Sequence, residues 1–357
     1  MKTSDFHFDI PEELVAQQPC KKRGEDRLLV LQRSSGSLGD HMFSDFPSLI
    51  EKGSLLVFND SRVRRSRIFA TVEASGNRAE FLLLEELSQE GFLAGSLWKV
   101  MAKNAKRQKA GRRYLFDDGR SARIVGADEC PVAGELEGSE FRILAFDEPI
   151  NESWLETNGH LPLPPYIRRE DVLEDAERYQ TVYARSIGSV AAPTAGLHFT
   201  REILDRLDRS NIERTSVTLH VGLGTFLPVR AERIEDHVMH EEHYQVSAEA
   251  AAMVTKAKRE GRPVVAIGTT SIRVLESAWN DEKQELTAGE GSTNIFIYPG
   301  YRFKAVDRVF TNFHTSESTL LMLVSAFAGR DVIMSAYQHA IEKRYRFFSY
   351  GDSMLIV

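Results

Sequence analysis

Three histidines stand in loops of the kind that hold ligands. His198 ends Ala192-Pro193-Thr194-Ala195-Gly196-Leu197-His198, followed by Phe199. His220 closes a β-rich run and precedes Gly222. His314 ends Thr311-Asn312-Phe313-His314. Imidazole moves protons near neutral pH, and a lone loop histidine reads as structural. Three in three such loops point to an acid–base role for at least one. Asn59-Asp60-Ser61-Arg62 adds a carboxylate and a guanidinium at another strand end.

Gly268-Thr269-Thr270-Ser271 follows the apolar run 263–267 and leads into a helix that carries Arg273 and Glu276. Unpaired N–H groups and the helix dipole favour an anion there, such as a carboxylate. The plainer reading is that Thr269 or Thr270 only caps the helix. Other chemistries are disfavoured. Gly222-Leu223-Gly224 is followed by Thr225 and lacks a third glycine at dinucleotide-binding spacing. A phosphate-binding G-x-x-x-x-G-K-[ST] loop is missing. His237, His240 and His243 have i, i+3, i+6 spacing with no thiolate nearby, so no metal site is expected.

These loops need a scaffold. A chain of 357 residues exceeds one ordinary core, so two domains are expected. Apolar runs at 28–31, 55–58 and 263–267 read as buried strands, and 201–207, 248–260 and 272–279 as helices. Pro11 before two glutamates reads as a helix start. Alternating strands and helices give an α/β main domain with a mixed sheet over 1–63 and 150–357. Between them, 64–149 alternates apolar and polar residues and carries a hairpin signal at Asp117-Asp118-Gly119. It is expected to be an inserted small antiparallel β-barrel domain.

Net charge is -7, which excludes a uniformly basic nucleic-acid coat but not a local RNA patch. Arg62, Arg64, Arg65 and Arg67 cluster, and 99–113 holds Lys103, Lys106 and Arg107 with no acid. Trp98 and Tyr114 flank that second stretch, which suits phosphate contact and base stacking, or else a solvated face. Two cysteines, Cys20 and Cys130, form no framework, as in a reducing compartment. The start lacks a secretory h-region, and the most apolar run, 320–328, is too short to cross a bilayer. A cytoplasmic protein without membrane attachment is expected.

Longer motifs carry a resemblance. They include Leu56-Val57-Phe58-Asn59-Asp60-Ser61-Arg62, Gly159-His160-Leu161-Pro162-Leu163-Pro164-Pro165-Tyr166 and Ala192-Pro193-Thr194-Ala195-Gly196-Leu197-His198-Phe199-Thr200. Thr218-Leu219-His220-Val221-Gly222-Leu223-Gly224-Thr225-Phe226, Gly268-Thr269-Thr270-Ser271, Thr311-Asn312-Phe313-His314 and Phe348-Ser349-Tyr350-Gly351-Asp352 follow in order. The chain resembles the S-adenosylmethionine:tRNA ribosyltransferase-isomerases of queuosine biosynthesis over nearly its whole length.

The resemblance implies transfer and isomerisation of the ribosyl moiety of S-adenosylmethionine. The acceptor is 7-aminomethyl-7-deazaguanine at the wobble position of tRNA with a GUN anticodon. Epoxyqueuosine tRNA forms, and adenine and methionine leave. S-adenosylmethionine is then a co-substrate, with no permanently bound cofactor and no metal, and a monomer is expected. His198, His220, His314 and Asp60 become the candidates for proton transfer. Asn59, Arg62, Thr194, Gly196, Phe199, Gly222, Gly224, Thr225, Thr269, Thr270, Ser271, Arg273, Glu276 and Asn312 are candidates for substrate contact. Of these, Arg62, Arg273 and the 269–271 loop would meet the methionine carboxylate, and Phe199 and Phe226 the sulfonium. Arg65, Lys103, Lys106 and Arg107 are the RNA-binding candidates. Two segments depart from the family pattern: Arg64-Arg65-Ser66, where an apolar residue, Pro and Ala are usual, and Thr315-Ser316, where Leu-Pro usually follows the histidine. A methyltransferase would want a glycine-rich first loop and an acid on the next strand, and neither is found. A non-catalytic RNA-binding module would not need three histidines in site loops.

Overall fold

The computed structural model describes residues 1–136, 138–222 and 229–357. Gly224, Thr225 and Phe226 lie outside the described residues. The chain divides into two compact units, Met1–Arg62 with Pro164–Val357, and Val63–Leu163.

Among the described residues, the first unit is built on a nine-stranded sheet. In spatial order the strands are Gly289–Thr293, Glu242–Val246, Glu213–Leu219, Leu55–Asn59, Val264–Ile267, Arg308–Asn312, Ser353–Ile356, Arg27–Gln32 and Ser37–Met42. The four from Glu213–Leu219 to Arg308–Asn312 run parallel. The outer strands add antiparallel pairings, so the sheet is mixed, as expected.

Strand alternation sends successive side chains to opposite faces, and both faces are buried. Leu55, Val57, Val264 and Ala266 join one apolar core with helices Ala248–Arg259, Thr269–Ala278, Thr319–Ala328 and Arg330–Glu342. Leu56, Phe58, Val265 and Ile267 join the other with helix Arg201–Arg209. Side-chain caps start the helices where the sequence offers them. Thr200 accepts from Ile203 N–H, Ser247 from Ala250 N–H and Ser318 from Leu321 N–H. The helix start expected at Pro11 is only a single tight turn, Glu12–Leu14.

The second unit holds a closed six-stranded antiparallel barrel, the inserted β domain expected. Gly119, at φ +90°, turns the hairpin between Arg113–Leu115 and Ser121–Ile124. This unit runs on to Leu163 rather than stopping at 149. Helix Glu152–Asn158 supplies the reason: Trp154 and Leu155 pack into the barrel core, and Trp154 Nε1–H donates to Asp118 at 2.6 Å. The departure at Arg64-Arg65-Ser66 fits the same contact. Arg64 pairs with Glu152 at 2.5 Å and Arg65 with Glu156 at 3.7 Å.

No single helix among the described residues is long and apolar enough to cross a membrane.

Candidate active site

The four parallel strands deliver their C-terminal ends to one edge of the sheet. Asp60 follows Leu55–Asn59, His220 follows Glu213–Leu219, Gly268 follows Val264–Ile267, and Phe313 and His314 follow Arg308–Asn312. Open α/β sheets bind ligands at this edge.

A cavity of ≈ 70 Å³ lies there, lined by Thr194, Thr269, Thr270, Thr311, Asn312 and His314 together with the rings of Tyr166, Phe313 and Phe348. Helix Thr269–Ala278 opens onto it. Its cap is Gly268, at φ +88°, and no side chain caps it. The reading of Thr269 or Thr270 as a cap is therefore not realised. Ser271 Oγ donates back to Ile267 O at 2.9 Å, while the buried Thr270 Oγ1 has no hydrogen-bond partner among the described residues. His314 is fixed through its backbone N–H to Tyr337 OH at 2.8 Å and through Nε2 to Thr311 Oγ1 at 2.9 Å. Complete burial pushes its imidazole down to about 3, so it is neutral at working pH. The departure at Thr315-Ser316 keeps this loop in place by other means. Ser316 Oγ accepts from Phe8 N–H at 2.9 Å, and Ser318 Oγ donates to Thr315 O at 2.7 Å.

A second, smaller pocket shares Leu320 with the first and is lined by His237, His240, Glu242 and Arg273. Arg273 Nη1 is ion-paired with Glu242, whose other oxygen accepts from Gly222 N–H at 3.0 Å. Arg273 Nε and Nη2 are buried without partners among the described residues. Burial lowers its guanidinium to about 10, still charged at neutral pH.

Asp60 and His220 belong to a polar cluster at the neighbouring strand ends. Thr218 Oγ1 donates to Asp60 Oδ1 at 2.7 Å. His220 Nδ1 is 3.1 Å from Ser61 Oγ, which is 2.5 Å from Ser189 Oγ. Gly188 lets the chain pass: a Cβ there would lie 2.8 Å from the His220 ring. Asn59 is spent on the scaffold. Its amide bonds Leu219 O and accepts from Leu219 N–H and Ser61 N–H, tying two strand ends together.

Other sequence candidates lie elsewhere. His198 is 2% exposed and is not among the described residues lining the cavity. Its Nδ1 is 3.0 Å from Asp26 and its Nε2 3.0 Å from Asn312 Nδ2. Phe199 is packed among Phe43, Phe46, Phe58 and Phe310, with ring centroids 5.0–5.5 Å away. Glu276 is buried and accepts from Tyr301 OH and from the backbone N–H groups of Lys304, Ala305 and Val306, so it holds that segment. Gly196 is a close approach: a Cβ would sit 2.1 Å from Tyr183 OH. Arg62 is exposed.

In the second unit, Lys106 and Arg107 are exposed, Lys103 pairs with Glu80 at 2.8 Å, and Arg65 is held by Glu156. Trp98 and Tyr114 are 3% and 0% exposed, inside the barrel core, so they are not stacking platforms. Barrel strands alternate, and both rings fall on the inward side. Sequence reading missed Asp26, Tyr166 and Tyr337. The signal for Asp26 was an acid, after Glu25, just ahead of an apolar strand; Tyr166 stood in the proline-rich motif already quoted.

A family model described as queuosine biosynthesis protein matches residues 3–356. The S-adenosylmethionine:tRNA ribosyltransferase-isomerase of Treponema denticola is 55% identical over 357 residues, all of both chains. The protein of the same name from Halothermothrix orenii is 48% identical, also over the full length of both. Among solved structures, the S-adenosylmethionine tRNA ribosyltransferase of Thermotoga maritima is 33% identical, with a TM-score of 0.55 over 99% of this chain and 100% of that one. The chain therefore belongs to the queuosine biosynthesis protein family, as its motifs implied.

Proposed function

We propose that this enzyme transfers and isomerises the ribosyl moiety of S-adenosylmethionine onto 7-aminomethyl-7-deazaguanine at the wobble position of a GUN-anticodon tRNA. Epoxyqueuosine tRNA forms, and adenine and methionine are released. On this reading it acts as a cytoplasmic monomer without a resident cofactor or metal. The observation that carries the reading is full-length identity of 48–55% to proteins named for that activity.

The site's chemistry is consistent with it. The sulfonium acidifies the neighbouring C5′ hydrogens, so a base must remove one. The attacking amine must be neutral, since an alkylammonium titrates near pH ~10 like lysine. Adenine leaves more readily with a proton on a ring nitrogen. Asp60 and His220, joined to hydroxyls at adjacent strand ends, are suited to proton transfers. His314, neutral in the cavity wall, is suited to hydrogen bonding. The N-terminus of helix Thr269–Ala278, with Thr270, would hold the methionine carboxylate, and Arg273 lies one turn on in the adjoining pocket. Lys106 and Arg107 would meet tRNA phosphates.

The test is chromatographic. Purified protein with S-adenosylmethionine and an anticodon stem-loop bearing the aminomethyl base should release free adenine. S-adenosylhomocysteine in its place would make the protein a methyltransferase, and release of neither would make it a binding module.

A further inference from the structure

Asn312 lies at the end of a central strand and lines the cavity, yet its side chain is mostly committed elsewhere. Its Nδ2 donates one hydrogen to Phe348 O at 3.2 Å and the other to His198 Nε2 at 3.0 Å. A backbone carbonyl can only accept, so the amide nitrogen must face Phe348. His198 Nε2 then accepts, which puts the ring's proton on Nδ1. That nitrogen lies 3.0 Å from Asp26 Oδ2, and an ionised carboxylate only accepts. Burial alone would push the Asp26 carboxyl up, but the His198 ring and the Cys20 thiol outweigh it and hold it below the ordinary range. All three side chains are buried: Asp26 is 6% exposed, His198 2% and Asn312 2%.

Every hydrogen in the chain is thereby assigned, and one atom is left over. Among the described residues, Asn312 Oδ1 is buried without a partner, as is Thr270 Oγ1 in the same cavity wall. A buried unpaired carbonyl is costly, and a native site keeps one where a ligand donor satisfies it.

We infer that Phe348 O and the Asp26–His198 pair together lock the orientation of Asn312, so that its amide oxygen is a fixed acceptor selecting an amino group on the substrate. His198 is then a positioning residue. This rests on the proposed function, under which two amino groups reach the site: the 6-amino group of adenine and the aminomethyl group of the tRNA base. A locked acceptor rejects a carbonyl at the same place, because two oxygens would face each other with no proton between them.

The test measures discrimination. Wild type is titrated with S-adenosylmethionine and with its 6-oxo counterpart, S-inosylmethionine. In a second arm it is titrated with stem-loops carrying the aminomethyl base or plain guanine. One arm should show about 100-fold or greater preference for the amino ligand, and that arm identifies the amine. His198→Leu removes the nearer of the two acceptors that hold the amide nitrogen and leaves only the longer contact to Phe348 O, so the preference in that arm should fall to about 10-fold or less. His198→Gln, which keeps an acceptor near the position of Nε2, should restore most of it. A general loss of structure would weaken both ligands alike and leave the ratio unmoved. Asp26→Asn serves as a second variant should the leucine protein fail to fold. No preference in either wild-type arm, or a preference unchanged in the variants, overturns the lock. Adenine release by wild type with flat discrimination sinks the lock alone; no adenine release removes the reading on which it rests and the lock with it.

Discussion

Thr218 Oγ1 and Asp60 Oδ1 meet at 2.7 Å although 158 residues separate them, because their strands lie side by side in the sheet. The hydroxyl holds one carboxylate oxygen in place. On the proposed mechanism Asp60 takes part in proton transfer, and Asp60→Asn keeps its shape while removing the carboxylate. Turnover should fall by about 10²–10⁴-fold with S-adenosylmethionine binding changed little. Steady-state kinetics with a binding titration checks this, and a variant within a factor of two of wild type would remove Asp60 from the mechanism.

Burial of His314 makes stability pH-dependent. Its folded value is about 3, below the ~6.5 of an unfolded histidine. The unfolded chain therefore binds the extra proton first. The histidine's contribution is fully present above pH ~6.5 and is lost as pH falls from there towards about 3. The slope is on the order of 1 kcal/mol per pH unit. Urea midpoints for wild type and His314→Gln between pH 7.5 and 5 should converge as pH falls, and parallel curves would contradict the assignment.

Phe199 makes edge-on contacts with four phenylalanines and is 0% exposed. Phe199→Ala should cost about 3–5 kcal/mol of folding stability. S-adenosylmethionine affinity of the folded fraction should change little. A selective loss of affinity at unchanged stability would return Phe199 to the sulfonium.

Lys106 and Arg107 are exposed, whereas Lys103 is already paired with Glu80. Replacing Lys106 and Arg107 by Ala should weaken tRNA binding and lower the slope of log affinity against log salt by about 1–2. S-adenosylmethionine affinity should stay constant. A slope equal to that of wild type would place the RNA surface elsewhere.

Much of the main sheet was legible because its signals are local. The runs 55–58 and 263–267 are apolar on both faces, and the caps at Thr200 and Ser247 are short-range. The barrel was legible from alternation and the turn at Gly119. Its far boundary was not, because Trp154 belongs to the barrel through packing and a bond to Asp118, contacts 36 residues apart in sequence. The loops of the site were legible as loops. The allocation of roles within them was not. His198 and His314 look alike in sequence, yet one is clamped between Asp26 and Asn312 and the other lines the cavity. Glu276 and Asn59 look like ligand contacts and are consumed by backbone groups, which only the folded chain brings to them.

The product nucleoside reports on the reaction itself. An anticodon stem-loop carrying 7-aminomethyl-7-deazaguanine, incubated with the protein and S-adenosylmethionine, is digested and weighed by mass spectrometry. The nucleoside should be heavier by the ribosyl-derived epoxycyclopentane ring, with one adenine and one methionine formed for each. A nucleoside heavier by a methyl group only, or one unchanged while the stem-loop still binds, would contradict it.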